Sequence, residues 1–186
     1  MAQSKQVYKN PQAGQPLITT ISTGCKTPLL DVKFCNLVNP YYYANSPTIP
    51  RYSITCILDP ELELHKEFLK GIQTIEKNEK VDSIIKNDTV KKEKEYVTTG
   101  KLLIKFQSKD KIPVHSIIES VVDNTTIIHD PVPIELEDEL AKGEQIIVFY
   151  DILRYTKKNT MNVEHGLSFK PSSIYYYPRT NENGKS

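Results

Sequence analysis

The sequence predicts a mainly β fold with one main helix. Five or more antiparallel strands would curl into a small closed or partly closed barrel, with the helix covering one opening. Two observations carry this. Most apolar stretches are short, rich in β-branched and aromatic residues, and bounded by Pro, Asn, Asp or Gly. A single stretch, running to Ile75, instead repeats its apolar residues at three- and four-residue spacing.

The helix and the strand before it form the unit around which the chain is organised. Pro50-Arg51-Tyr52-Ser53-Ile54-Thr55-Cys56-Ile57-Leu58 alternates as a half-buried strand does. Asp59 and Pro60 then give a helix start, with Asp as cap and Pro as a first residue that has no N–H to satisfy. Glu61 and Glu63 suit the positive end of the helix dipole. Leu64, Phe68, Leu69, Ile72 and Ile75 form the stripe expected to face the core.

The other elements follow in order. Residues 1–15 are polar and read as a flexible arm ahead of a domain spanning 16–178, with 179–186 as a polar tail. Leu17 to Ile21 is a short strand. Pro28 to Val38 is another, with Leu30, Val32 and Phe34 on one side, Asp31 and Lys33 on the other, and Asn39-Pro40 as its end. Tyr41-Tyr42-Tyr43 falls in a predicted loop bounded by prolines. Lys77 to Glu95 is dense in charges of both signs and reads as a solvated helix end followed by a mobile loop. Gly100 to Gln107 is a strand with Leu102, Ile104 and Phe106 on one face and Lys101, Leu103 and Lys105 on the other. Val114 to Val122 and Thr126 to Ile128 are strands joined across Asp123-Asn124, and Pro131 and Pro133 break the ladder. Glu135, Glu137, Asp138 and Glu139 read as a solvated acidic turn. Gln145 to Tyr155 is apolar on both faces and therefore central. Leu167 to Tyr177 closes the fold.

Composition narrows the function. The net charge of +1 means that a polyanionic partner must be met by local clusters of Lys and Arg. Three cysteines, with no CxxC pair, argue for reduced thiols in a cytoplasmic compartment. No apolar run is long enough for a membrane span, and the N-terminus lacks a signal-peptide core. The four histidines are scattered, the seven glycines stand singly, and no nucleophile elbow occurs. The reading is a non-enzyme that needs no cofactor and no metal.

Eleven tyrosines, many of them in two triplets, and the absence of Trp are the least ordinary features of the composition. Tyr41, Tyr42 and Tyr43 near Arg51, Lys101 and Lys105 on one strand face, and Arg154, Tyr155, Lys157 and Lys158 are the places where rings and cations meet. Rings beside cations bind single-stranded nucleic acid by stacking on bases and neutralising phosphates. Exposed Tyr patches equally suit a protein partner, so a structural or adaptor domain is the rival reading. A third, a metal-dependent nuclease using Glu135, Asp138 or Glu139, lacks any accompanying His or Lys.

The order of elements resembles the phage single-stranded DNA-binding proteins built on an OB-fold. Three stretches carry the likeness: Pro50 to Thr55, the helix from Asp59 to Glu76, and the closing strands with Gly143 to Tyr150, Gly166-Leu167 and Tyr176. The resemblance implies sequence-independent coating of single-stranded DNA in replication, recombination or repair, in the host cytoplasm. It implies Arg51 facing the DNA from the start of its strand, Tyr52 turned to the core, and Tyr41 to Tyr43 in a contacting loop. Replication or recombination proteins become candidate partners, and a homo-oligomer is left open. The family's acidic tail is absent from residues 179–186, so that mode of regulation is absent or the chain is shortened.

Overall fold

A computed structural model describes residues 16–158 and 162–178. The arm at 1–15 and the tail at 179–186 expected from sequence lie outside the described residues. Among the described residues eleven strands and one helix run in the order β1 (Pro16–Lys26), β2 (Leu30–Tyr43), β3 (Ser46–Leu58), α1 (Glu63–Glu79), β4 (Lys86–Lys92), β5 (Glu95–Ser108), β6 (Val114–Ser116), β7 (Glu119–Val122), β8 (Thr125–Ile128), β9 (Val132–Ile134), β10 (Gln145–Lys158) and β11 (Val163–Tyr177).

Nine strands share one sheet in the order β4-β5-β3-β2-β10-β11-β6-β9, with β1 also paired to β10. β5 and β11 lie against each other but are not paired in that sheet, so it curls without closing into a hydrogen-bonded barrel. β10 is central, as its two apolar faces predict. β11 runs along one edge, while β2 occupies the start of the other edge and β1 the rest. Thr27 bridges the gap between those two. Its N–H donates to the Val148 carbonyl and its hydroxyl accepts from the Val148 N–H, both at 3.0 Å. β6 pairs with β11 in parallel, while the other pairs of that sheet are antiparallel, as expected of five or more strands.

The core is one cluster. It takes Leu30 and Val32 from β2, Ile54, Cys56 and Leu58 from β3, Ile104 and Phe106 from β5, Ile146, Val148, Tyr150 and Ile152 from β10, and Leu167, Phe169 and Ile174 from β11. The Phe106, Tyr150 and Phe169 rings meet at its centre, with edge-on and tilted packing at 5.1–5.9 Å. Tyr52 is partly buried against this cluster, on the side expected for it.

Four departures from the sequence reading matter for the site. First, β2 and β3 run through the expected tyrosine loop, leaving only Ala44 and Asn45 as the turn. Second, the charged stretch after the helix is not a loop but the hairpin β4–β5, whose long strands pair from Lys86↔Leu103 out to Lys92↔Glu95. Third, α1 begins at Glu63. Asp59 instead caps a turn through its carboxylate, which accepts from the Glu61 N–H. His65 takes the inward place expected of Leu64, which is 68 % exposed. The His65 ring bridges the Asp59 N–H and the Leu29 carbonyl, at 3.0 and 2.8 Å.

Fourth, Glu139 is not a solvated acid. Its carboxylate accepts the backbone N–H groups of Leu37, Val38 and Asn39 at 2.6, 2.7 and 2.9 Å. These donors lie where β2 and β3 lose regular register between Asn36 and Tyr41. The carboxylate replaces the ladder partners that this irregularity removes. By contrast, Asp123 and Asn124 form the predicted turn, both with positive φ, as a two-residue hairpin of that twist requires.

Candidate nucleic-acid interface

A groove of about 620 Å³ crosses the sheet face between β2–β3, β4–β5 and β10–β11. Phe34 from β2, Tyr43 from the β2–β3 hairpin, Leu103, Lys105 and Gln107 from β5, Lys86 from β4, and Tyr155, His165 and Gly166 from β10–β11 line it.

Phe34 reaches this groove because the β2–β3 register shifts between Val32 and Phe34. The irregularity breaks the alternation that would have set Phe34 beside Leu30 and Val32. Phe34 is 59 % exposed whereas those two are fully buried. The ammonium of Lys33 lies 5.7 Å from its ring. Lys33 also forms a 3.0 Å ion pair with Asp88 of β4, and Asp88 accepts a hydrogen bond from Thr99 of β5. Burial raises the Asp88 pKa, but the Lys33 and Thr99 contacts outweigh it and hold the carboxyl below its ordinary 3.8.

At one end of the groove the two strands of the β2–β3 hairpin set up a cluster. Tyr41 and Tyr43 lie on one face of β2, their rings edge-on at 5.4 Å. The Tyr41 hydroxyl donates to Gln107 at 3.2 Å and accepts from the Lys105 ammonium at 2.5 Å. Lys105 also sits 4.8 Å from the Tyr41 ring centre, and the Arg51 guanidinium is 5.4 Å from that of Tyr43. The hydrogen bond with Tyr41, reinforced by partial burial, raises the Tyr43 pKa above its ordinary value.

On the opposite wall Tyr155 pairs across strands with Gly166. Its ring covers the glycine so closely that a Cβ there would lie 2.4 Å from the ring carbon Cζ and from the hydroxyl. Gly166 is therefore the seat of an aromatic ring, which accounts for a glycine inside a strand.

The residues named from sequence thus divide. Tyr41, Tyr43, Arg51 and Lys105 are brought together, and of these Tyr43 and Lys105 line the groove with Tyr155, while Tyr41 and Arg51 do not. Tyr42 is 54 % exposed and does not line the groove. Lys101 borders a separate recess with Leu29, Leu62 and His65. Arg154 is engaged by the helix end, 3.4 Å from the Glu79 carboxylate, and also contacts Thr156 and His165. Lys157 and Lys158 stand at the end of β10, opposite Glu164 and Val163, and do not line the groove. Sequence reasoning missed Phe34, Lys86, His165 and Gly166. A Gly-Leu pair in an aromatic-rich strand was the one visible sign of Gly166.

Other chemistry finds little support in the geometry. Glu135 pairs with Lys111 at 2.9 Å and Glu139 is committed to β2, so the acidic cluster does not converge. Among the described residues no group of three or more His, Cys, Asp and Glu could hold a metal ion. Burial pushes the Cys35 thiol up to about 11 and that of Cys56 higher, which keeps both protonated. Among the described residues no helix is long and apolar enough to cross a membrane.

The same architecture recurs in known structures. The single-stranded DNA-binding protein of bacteriophage Enc34, as a C-terminal truncation, matches with a TM-score of 0.56 at 16% identity, covering 84% of this chain and 86% of that one. The Enc34 protein in complex with single-stranded DNA gives 0.55 at 16% identity, over 87% and 88%. The single-stranded DNA-binding protein gp2.5 of bacteriophage T7 gives 0.52 at 10% identity, over 85% and 93%. The chain has the fold of these phage proteins. No family model matches it, and no curated protein sequence does. At these identities the likeness is one of fold, and it bears out the OB-fold-like architecture that the sequence predicts.

Proposed function

We propose that the chain binds single-stranded DNA without sequence preference, in the groove between β2–β3, β4–β5 and β10–β11, and that it is not an enzyme. The observation that carries this is the meeting of Phe34, Tyr43 and Tyr155 with Lys86 and Lys105 in one open groove. Three rings from two strands, β2 and β10, offer π-faces that any base can use, and the ammonium groups that line the same groove suit phosphates. A protein of the same fold has been captured with single-stranded DNA, which supports the same partner here. The role that follows is protection of single strands during phage DNA replication, recombination or repair, in the host cytoplasm. Residues 16–178 would form the binding domain.

The test is fluorescence anisotropy with labelled oligo(dT) at several salt concentrations, competed with duplex DNA. Binding that weakens linearly in log salt and resists duplex competitor is expected. A protein that leaves oligo(dT) unshifted at low salt overturns the proposal.

A further inference from the structure

The hairpin β4–β5 continues outward from the groove. Its root is fixed there: Lys86 and Leu103 both line the groove and pair with each other, and the Lys33–Asp88–Thr99 contacts tie β4 and β5 to β2 beside Phe34. Beyond that root nearly every residue of both strands is exposed, and Asp88 is the one buried residue of β4. Over seven residues β4 extends by about 20 Å. Gly100, with a φ of +84°, interrupts regular pairing where the hairpin leaves the body. Such irregularities re-aim a strand.

The outer hairpin has two chemically different faces, because directly paired residues share a face and successive pairs alternate. Val90↔Val97 and Lys92↔Glu95 share one face, which carries an acid. Thr89↔Thr98 and Lys91↔Tyr96 share the other. That second face has no carboxylate. It offers two hydroxyls, one ammonium and one aromatic ring, and Tyr96 is 72 % exposed, the most exposed of the large apolar and aromatic side chains described. Hydroxyls and ammonium groups are phosphate donors, and a tyrosine ring on an extended strand is a base platform.

We infer that the Thr89/Lys91/Tyr96/Thr98 face of the β4–β5 hairpin is a second contact for single-stranded DNA, engaging nucleotides of the same strand after it leaves the groove. The inference rests on the single-strand reading of the groove and extends it. Lys91 meets a phosphate, Tyr96 stacks on a base, and the strand is held at two places joined by a rigid root. Binding therefore depends on length: a short oligonucleotide fills the groove alone, and a longer one gains the hairpin.

The experiment compares the full chain with a Lys91→Ala/Tyr96→Ala variant and a Tyr96→Phe variant. The probes are labelled oligo(dT) of about 4 to 20 nucleotides, a range spanning the site sizes of such domains. Wild-type affinity is expected to rise with length past the point where the double variant levels off. On the longest probe the double variant is expected to bind on the order of tenfold more weakly, and on the shortest equally well. Its salt slope on the long probe should be smaller by about 0.7, the share of one phosphate on a single strand. Tyr96→Phe should bind as the wild type does, since the ring is kept. Equal affinities of wild type and double variant at every length overturn the inference, and so does a loss that is the same at every length. If the wild type binds no length at all, the groove reading itself fails, and that result is distinct from either of these.

Discussion

Phe34 places an aromatic ring in water, 5.7 Å from the ammonium of Lys33. The side chain adds nothing to the core, being 59 % exposed. Its removal should leave stability within about 0.5 kcal/mol, as for other surface substitutions. If it stacks on a base, Phe34→Ala should weaken oligo(dT) binding by about 1–3 kcal/mol, roughly 5- to 150-fold. Tyr42→Ala supplies the internal control. That ring is comparably exposed, at 54 %, but does not line the groove, and its removal should cost no affinity. Paired melting and anisotropy measurements on the two variants check both statements. Equal losses of affinity would show that exposure of a ring, rather than its place in the groove, governs binding. Glu139 makes the opposite kind of contribution. It touches no groove residue, yet it satisfies three backbone donors of β2. Glu139→Ala should destabilise by roughly 3 kcal/mol, because three backbone donors, two of them partly buried, would lose their acceptor. That corresponds to a fall of about 6–12 °C in Tm, read by thermal denaturation.

At the scale of elements, the groove depends on how the paired strands β10 and β11 present Tyr155. Gly166→Ala would place a methyl group where the Tyr155 ring now lies, at 2.4 Å from its Cζ. The atoms to be moved belong to the far end of one side chain, so the strands stay paired and the ring moves away. The variant should therefore fold, lose single-strand affinity to about the level of Tyr155→Ala, and show no further loss in the Gly166→Ala/Tyr155→Ala double variant. A double-mutant cycle by anisotropy measures this coupling; additive losses would separate the two positions. These elements also show what the sequence could reveal. The strand with Ile54, Cys56 and Leu58 and the helix were legible because burial on a face leaves a period in the chain, and the central strand to Tyr155 because its run is apolar on both faces. The outward turn of Phe34 was not legible, because one register shift reverses which face every later residue joins. Hairpin β4–β5 was hidden for another reason. Both of its faces meet solvent, so no apolar alternation marks Lys86 to Thr99 as strand. Tyr41 and Tyr43 were named correctly as neighbours of Arg51, but their strand was mistaken for a loop by the prolines that flank it.

The molecule as a whole is a curled sheet whose edges are not zipped shut, and side chains add to the ladders that hold its outer strands. The Lys33–Asp88–Thr99 contacts are one such fastening, joining β2 at the centre to β4 at the rim. Both ionic side chains are largely excluded from solvent, at 11% and 7% exposure. Removing one charge strands the other in a site with little water, and Asp88→Asn should cost roughly 3 kcal/mol at neutral pH. The dependence on pH has a definite sign. The folded pKa of Asp88 lies below 3.8, so the folded state binds the proton less readily than the unfolded chain does. The stabilisation is complete above 3.8 and is lost as the pH falls through the depressed value. Thermal denaturation of wild type and Asp88→Asn should therefore show a constant difference from pH 7 down to about pH 5, and a shrinking one below about pH 4. Subtracting the two curves removes every other carboxylate from the comparison. A difference that persisted unchanged into strong acid would mean that the asparagine fails by its shape and not by its lost charge. Because the same fastening fixes the β4–β5 hairpin beside Phe34, a stability loss of this origin should bring a loss of affinity for long oligonucleotides before the sheet itself unfolds.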